Sequence, residues 1–494
     1  MRVLVTGGTG VVGVSTVTAL TAQGHQVRLL SRHAERDARQ WPTGVEPWPG
    51  DVAEKTSLQG AADGCDAVLH LVAIVEEDPP KATFERVNVN GTLNLVEEAH
   101  RAGVARFVYV SSLGAERGES PYHRSKFEGE QIVRGYPGDW LIVRPGSVYG
   151  PGDEQISLLL RMVRTLPALP VIGDGQQRFQ PVWHLDLAEA LVRAVERRDL
   201  TRRTLDIAGP ETTSQQDLLD RLERITARSP VRVPLPDFAT AIGIKGLEMT
   251  GIGTPFNESQ LTMLREGNVL DDPSRNALTT VLGVEATPLD RGLELLADAQ
   301  VEQTPREGVG ALQRKRFWVD VVRSRMTPDE LIAHVRTHFG EMMPGFVGVA
   351  VEPGTAETLD LDETLTLSLP LRGHIQVRVA ELEDRRITLV TLEGHPLAGL
   401  VRFTAGYEGD ALRFEVSVYD RASNVLDLVM MRTVGDLLQN RTWETLAENV
   451  ARASGGEPRD GVQHESQALH GEEARSVEEW ADGLVVKRKR AEKS

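Results

Sequence analysis

The stretch that decides the fold is Thr6-Gly7-Gly8-Thr9-Gly10-Val11-Val12-Gly13. It follows the apolar run Val3-Leu4-Val5 and leads into a helical pattern, Ser15–Ala22. Gly8, Gly10 and Gly13 satisfy G-x-G-x-x-G, while Gly7, Gly10 and Gly13 satisfy G-x-x-G-x-x-G. Glycines at this spacing permit a tight turn and let backbone N–H groups approach a diphosphate. They also bring a helix N-terminus, with its partial positive charge, to the anion. The pattern is weak alone, but between a strand and a helix it predicts a dinucleotide-binding turn made of Gly7, Gly8, Thr9, Gly10, Val11, Val12 and Gly13. The competing reading, a turn whose glycines only pack, has little support in that context.

Outward from this turn, short β-branched runs alternate with helical stretches. Val3–Val5, Val27–Leu30, Ala67–Leu71, Phe107–Val110 and Leu141–Val143 read as strands, and Ser15–Ala22, Gly91–Arg101 and Lys126–Arg134 as helices. Near-continuous apolar strands separated by helices predict a doubly wound parallel sheet covered on both faces, an α/β fold. The second strand ends in Ser31-Arg32, where an acidic residue would accept from a ribose 2′-hydroxyl. A guanidinium there suits a 2′-phosphate, which favours NADP(H) over NAD(H); a plain surface arginine is the alternative. Asp51 and Val52, where the third strand should end, are candidates for the adenine side, against the alternative of a loop turn.

Tyr122 and Lys126 form a Y-x-x-x-K pair, and four residues on a helix place both side chains on one face. A phenol with an ordinary pKa near ~10 is a poor proton carrier at neutral pH, and a neighbouring ammonium favours its ionised form. Ser111 and Ser112 close the preceding strand, where a hydroxyl can meet a substrate oxygen beside the tyrosine.

Beyond the glycine turn and this pair, the matching segments are His70-Leu71-Val72-Ala73, Asn88-Val89-Asn90-Gly91-Thr92, Val108-Tyr109-Val110-Ser111-Ser112 and Arg144-Pro145-Gly146-Ser147-Val148-Tyr149-Gly150-Pro151-Gly152. Gln180-Pro181-Val182-Trp183-His184-Leu185-Asp186-Leu187-Ala188 and Ile207-Ala208-Gly209-Pro210 continue the pattern. On these motifs the first ~300 residues resemble the extended short-chain dehydrogenase/reductase superfamily. The segments Ser111–Ala115 and Ser120–Lys126 resemble its atypical group related to the 39-kDa-type accessory subunit of respiratory complex I. The resemblance implies that Ser112 orients a carbonyl or hydroxyl and Tyr122 is the general acid/base. It implies that Lys126 holds the nicotinamide ribose, that Asn88 supports the site, and that Leu71, Ser111 and Pro145, Gly146, Ser147, Val148 line the cofactor. Arg178 stands where sugar-nucleotide members contact an anionic substrate group, with surface pairing as the alternative. Tyr122 follows Ser112 by only ten positions, closer than in the epimerases of the superfamily. Asp186 reads as a helix cap. His334 and His338, four apart on a predicted helix, lack a third ligand, so no metal site is expected.

Residues 150–180 and 210–300 are expected to form a small substrate subdomain, with helices near 154–165 and 214–227 and a strand at Thr204–Ile207. Polar residues 301–312 read as a linker. Thr327-Pro328-Asp329-Glu330 is a capping-box helix start. Alternating segments Glu363–Leu369, Ile375–Leu382, Arg386–Leu392, Leu400–Ala405 and Ala411–Tyr419, then a helix from Asn424 to about Arg452, predict a separate α+β domain over 313–454. On Gly394–Gly399 and Arg413–Tyr419 this domain resembles small helix-grip (START-like) domains, which implies either a cavity for an apolar ligand or a solid-cored accessory domain. Residues 455–494, ending near Lys487-Arg488-Lys489-Arg490, read as a flexible charged tail.

The chain has 494 residues, 55 Lys+Arg against 72 Asp+Glu and a formal net charge of −17, which disfavours nucleic acid as a partner. One cysteine, Cys65, excludes an intrachain disulfide framework. No uncharged apolar run reaches the ~18 residues of a membrane span, and the opening residues leave no room for a signal peptide, so a cytoplasmic location is expected. The leading expectation is an NADP(H)-dependent oxidoreductase or epimerase/dehydratase-like enzyme with a small-molecule substrate, a hydrophobic one among the options. The alternatives are a non-catalytic NADPH-holding scaffold, with oligomer or respiratory-complex association, and a nucleotide-ratio sensor.

Overall fold

The computed structural model describes residues 1–494 except 39–40, 119, 154, 166–167, 173, 236–267, 300, 351–357, 370–372, 424–435 and 492–494. The chain divides into two compact units, each treated by itself.

The first unit comprises Met1–Leu158, Pro170–Arg221 and Pro234–Leu296. Its centre is a seven-stranded parallel sheet of β1 (Arg2–Thr6), β2 (Gln26–Ser31), β3 (Val45–Pro49), β4 (Ala67–His70), β5 (Arg106–Val110), β6 (Asp139–Pro145) and β7 (Arg203–Ile207), in the order β7-β6-β5-β4-β1-β2-β3. The register pairs Thr6 with His70 and Thr6 with Leu30, so the strands end together at one edge. Successive residues serve opposite faces. Val3, Val5, Val108 and Val143 pack with α1 (Val11–Ala22) and α4 (His184–Glu196), through Val17, Leu20, Leu187 and Leu191. Leu4, Val68, Phe107, Tyr109 and Ile142 pack with Leu95 and Ala99 of α2 (Gly91–Arg101) and Val133 of α3 (Pro121–Arg134). Burial on both faces explains why these strands are apolar throughout. Strand order reverses between β1 and β4, where a crevice opens at the carboxyl edge of such a sheet.

The second unit comprises Ala297–Ser494 with Leu159–Leu169 and Leu222–Val233. The expected boundary near residue 300 therefore differs in that two segments of the predicted substrate subdomain group with the C-terminal part. Residues 301–312 are not a simple linker. Pro305–Glu307 is a short helical turn with a Thr304 capping box, and β8 (Val309–Val322) begins inside the stretch. With β9 (Gly348–Ala350), β10 (Thr364–Leu369), β11 (Gly373–Glu383), β12 (Arg386–Thr391), β13 (Leu397–Glu408), β14 (Ala411–Ala422), β15 (Glu457–Pro458) and β16 (Gln463–Leu469) it forms a nine-stranded sheet whose described pairings are antiparallel.

One face of that sheet, through Phe317, Val319, Phe403 and Phe414, buries Leu331, Val335 and Phe339 of α5 (Pro328–Met342) and Trp443, Leu446 and Val450 of α6 (Asp436–Ala453). The capping box starts α5 as expected: Thr327 Oγ1 accepts from Glu330 N, and Thr327 N donates to Glu330 Oε2. Residues 424–435 of the expected helix from Asn424 lie outside the described ones. The other face, through Ala380, Val390 and Leu400, is covered by Trp480, Ala481, Leu484 and Val485 of α7 (Gly471–Ala491). The described part of the expected flexible tail, residues 455–491, is ordered secondary structure instead. It supplies β15, β16 and α7, and Arg402 stacks on Trp480 at 4.0 Å from the ring centroid. No helix among the described residues is long and apolar enough to cross a membrane.

Candidate active site at the carboxyl edge of the parallel sheet

The glycine turn leaves β1 at this edge. Gly7 has φ +76, in the left-handed region, and a Cβ there would lie 2.8 Å from Val72 N, so only glycine fits. A Cβ on Gly13 would overlap Gly7 O and Gly8 Cα, and one on Gly8 would overlap the Leu29 side chain. Gly10 differs: its φ is −81 and the nearest atom to a Cβ is 3.9 Å away, so its missing side chain leaves open space. Gly10 is the N-cap of α1, and no side chain caps the helix. An uncapped helix N-terminus of this kind, with its partial positive charge, favours a nearby anion.

On β2, the exposed Arg32 follows Ser31, whose hydroxyl accepts from His33 N at 3.2 Å. Asp51 Oδ1 accepts from Ala53 N at 2.9 Å, and Val52 is buried under Gly91. Leu71 N donates to Thr6 O at 3.1 Å. Pro145, Gly146, Ser147 and Val148 leave β6 beside these groups. Pro145 O accepts from Leu113 N, Gly146 N donates to Ile207 O, and Ser147 O accepts from Val182 N.

The helix α3 starts at the same edge, with Ser120 as N-cap and Pro121 at its first position. It carries Tyr122 in its first turn and Lys126 one turn on. Tyr122 is half-buried, edge-on to Phe84, and burial lifts its phenol to about 12. Lys126 is 1% exposed and its ammonium has no hydrogen-bond or ion-pair partner among the described residues. It lies over the Tyr109 ring, 4.4 Å from the centroid. Burial pushes Lys126 down to about 7, against the upward pull of the Glu130 carboxylate. Ser112 is buried, and its hydroxyl likewise has no hydrogen-bond partner among the described residues.

Two of the expected site residues turn elsewhere. Ser111 donates its hydroxyl to Glu130 Oε1 at 2.7 Å, so its side chain serves a buried carboxylate rather than the crevice. Asn88 is fully buried; its amide accepts from Ile74 N and donates to Ile74 O and to Ser125 Oγ, which in turn donates to Tyr122 O. Asn88 therefore ties the loop after β4 to α3, one bond away from Tyr122. Asp186 does not cap a helix either. It sits in the first turn of α4, where both carboxylate oxygens accept from Thr287. Arg178 is exposed on a two-residue strand opposite Ser214. His334 and His338 stack at 4.3 Å between ring centroids on the face of α5.

Sequence reasoning missed Glu130, Arg144 and the buried His70. His70 hydrogen-bonds Thr6 Oγ1 and Thr92 Oγ1, with burial holding it at about 3. Tyr122, Lys126, Glu130 and Arg134 recur every four residues, which marks a single helical face but not that the carboxylate on it is buried.

Comparison with known proteins identifies the family. The NAD dependent epimerase/dehydratase family matches residues 3–208. A ceramide reductase of Caulobacter vibrioides is 36% identical over 173 residues, covering 35% of this chain and 54% of that protein, so the chain spans about half its length. Sterol demethylase protein B of Methylococcus capsulatus is 31% identical over 261 residues, 48% of this chain and 78% of that protein. Mitochondrial NADH dehydrogenase [ubiquinone] 1 alpha subcomplex subunit 9 of Arabidopsis thaliana is 26% identical over 275 residues, 53% of this chain and 68% of that protein. With the glycine turn, the parallel sheet and these similarities together, the chain belongs to the NAD dependent epimerase/dehydratase family.

Proposed function

We propose that the chain is an NADP(H)-dependent oxidoreductase acting on a carbonyl or secondary alcohol of an apolar small molecule, with Ser112, Tyr122 and Lys126 as its working residues. The observation that carries this reading is Lys126. A buried ammonium without an acceptor costs several kcal/mol, on the order of the penalty for any unpaired buried charge. It is complementary to a ligand that brings acceptors, such as ribose hydroxyls. The uncapped helix and the open space at Gly10 fit the diphosphate of the same ligand.

A bound nicotinamide dinucleotide supplies or accepts the hydride. The chain does the rest. The turn Gly7–Gly13 holds the diphosphate and Arg32, beside Ser31, meets the 2′-phosphate. Asp51 and Val52 border the adenine, while Leu71 and Pro145–Val148 border the nicotinamide. Lys126 holds the ribose and favours the phenolate of Tyr122. Tyr122 moves the proton on or off the substrate oxygen, which Ser112 orients. Arg178 is a candidate contact for a polar end of the substrate. The names of the ceramide reductase and sterol demethylase relatives support a lipid-like alcohol or ketone. We read the second unit, an antiparallel sheet packed on a long helix, as a START-like module serving the same class of ligand.

Tyr122→Phe is expected to bind NADPH within about twofold of wild type and to lose at least ~10²-fold in turnover of a lipid-like ketone, the usual worth of a general acid. A variant that turns over at the wild-type rate contradicts the role of Tyr122. Titration followed by nicotinamide fluorescence should give tighter binding of NADPH than of NADH; equal affinities would remove the role of Arg32. Similarity to the plant complex I subunit favours one other reading, a scaffold that retains NADPH without turnover. It predicts tight retention and no oxidation of the cofactor over a broad carbonyl panel, in wild type and variant alike.

A further inference from the structure

Behind the candidate site lies a fully buried carboxylate to which the proposed chemistry gives no part. Glu130 is 0% exposed. Its Oε1 accepts from Ser111 Oγ at 2.7 Å and from Arg144 Nε at 2.7 Å, and its Oε2 accepts from Arg144 Nη2 at 2.7 Å and Arg134 Nη2 at 3.0 Å. These donors come from three elements. Ser111 directly precedes Ser112 at the end of β5, Arg144 directly precedes Pro145 at the end of β6, and Glu130 lies one turn beyond Lys126 on α3. Backbone bonds close the arrangement on either side of Ser112: Ser111 N donates to Val143 O at 2.7 Å and Leu113 N to Pro145 O at 2.9 Å.

We propose that Glu130 is a positioning residue of this site, the hub that fixes the strand end bearing Ser112, the strand end leading to Pro145 and the helix bearing Tyr122 and Lys126 in one register; the proposal rests on the assignment of Lys126 to cofactor binding. The bidentate Arg144 pair makes the hub directional, because two parallel N–H donors fix the carboxylate plane as well as its position. A second consequence is electrostatic. The groups packed around Lys126 and Glu130 are the Tyr109 ring on β5 and Ser111 just past it, neutral His70 on β4, Arg144 on β6, and Tyr122 and Arg134 on α3 itself. Glu116 and Asp206 reach the hub only through Arg144, at 2.6 Å and 3.9 Å. The carboxylate acting on Lys126 is that of Glu130, and it opposes the loss of charge that burial causes.

The test measures the NADPH dissociation constant of the full-length protein across about pH 5.5 to 9, together with its melting temperature. Wild-type affinity should fall as Lys126 loses its proton. Lys126→Met should bind weakly with a flat profile. In Glu130→Gln the falling limb should move about one unit to lower pH, which is about tenfold weaker binding on the limb. Glu130→Gln/Arg144→Gln removes both charges of the buried pair and should regain melting temperature while keeping the shifted limb. A Glu130→Gln profile that superimposes on wild type overturns the proposal. So does a double variant whose profile returns to wild type along with its stability, since Glu130 would then act on the fold alone. An unchanged affinity in Lys126→Met would instead overturn the cofactor assignment on which the proposal rests.

Discussion

Gly10 and Gly13 lie three residues apart in one turn and serve opposite ends. Gly13 is closed in by Gly7 O and Gly8, whereas Gly10 faces open space. Gly13→Ala should therefore overpack the turn and cost roughly 1–3 kcal/mol, lowering the melting temperature of the ligand-free protein by several degrees. Gly10→Ala should leave that temperature within about two degrees of wild type, because its φ of −81 suits alanine, and should abolish NADPH binding by filling the space of the diphosphate. Thermal melts with and without NADPH separate the two; equal effects of both substitutions on the ligand-free melt would refute the division of roles. At this scale the motif was legible because glycine spacing and a Y-x-x-x-K pair leave a mark in a single sequence. Glu130 was not, because a buried carboxylate is identified by its donors, and Ser111 and Arg144 lie 19 and 14 positions away. Ser111 illustrates the same limit. Its place at a strand end was evident, but the choice between crevice and buried hub depends on a partner from another element.

The parallel strands were readable as elements, since each is apolar throughout and is followed by a helical pattern. The strands of the second unit were readable from alternation, as Glu363–Leu369 against the observed β10 illustrates. Several elements escaped, β8, β15, β16 and α7 among them. β8 alternates the buried Lys315, Phe317, Val319 and Val321 with the more exposed Arg316, Trp318 and Asp320, and Arg316 is held by Glu415 and Glu465 from neighbouring strands. Only its first residues, 309–312, fell in the stretch read as a linker, because the strands they pair with are distant in sequence. Helix α7 escaped because its composition is highly charged. Its period was the better guide: Val477, Trp480, Ala481, Leu484 and Val485 fall at helical spacing on one face and meet the sheet. Truncation after Leu469 should uncover Ala380, Val390 and Leu400 and forfeit on the order of 1.5–3 kcal/mol for each apolar side chain withdrawn. A melting temperature lowered by several degrees and new binding of an apolar dye are expected. A truncated protein that melts like the full chain would show that α7 contributes nothing to the second unit.

For the whole molecule, the parallel-sheet unit carries the proposed site, and the antiparallel unit carries a contiguous apolar core between its sheet and two helices. The division was legible from the change in sequence pattern near residue 300. That Leu159–Leu169 and Leu222–Val233 group with the second unit was not, because membership is decided by contacts rather than by local pattern. The central claim is that the turn after β1 holds a diphosphate so that the pyridine of the same ligand meets Tyr122. A crystal structure of the protein with NADPH tests it most directly. The account predicts the diphosphate on the N–H groups at Gly8–Val12, Lys126 on the ribose hydroxyls, and Tyr122 opening onto a space in which a substrate oxygen would lie about 3–3.5 Å from the nicotinamide C4. A turn that stays empty in excess NADPH, or a nicotinamide ring facing away from Tyr122, would contradict it.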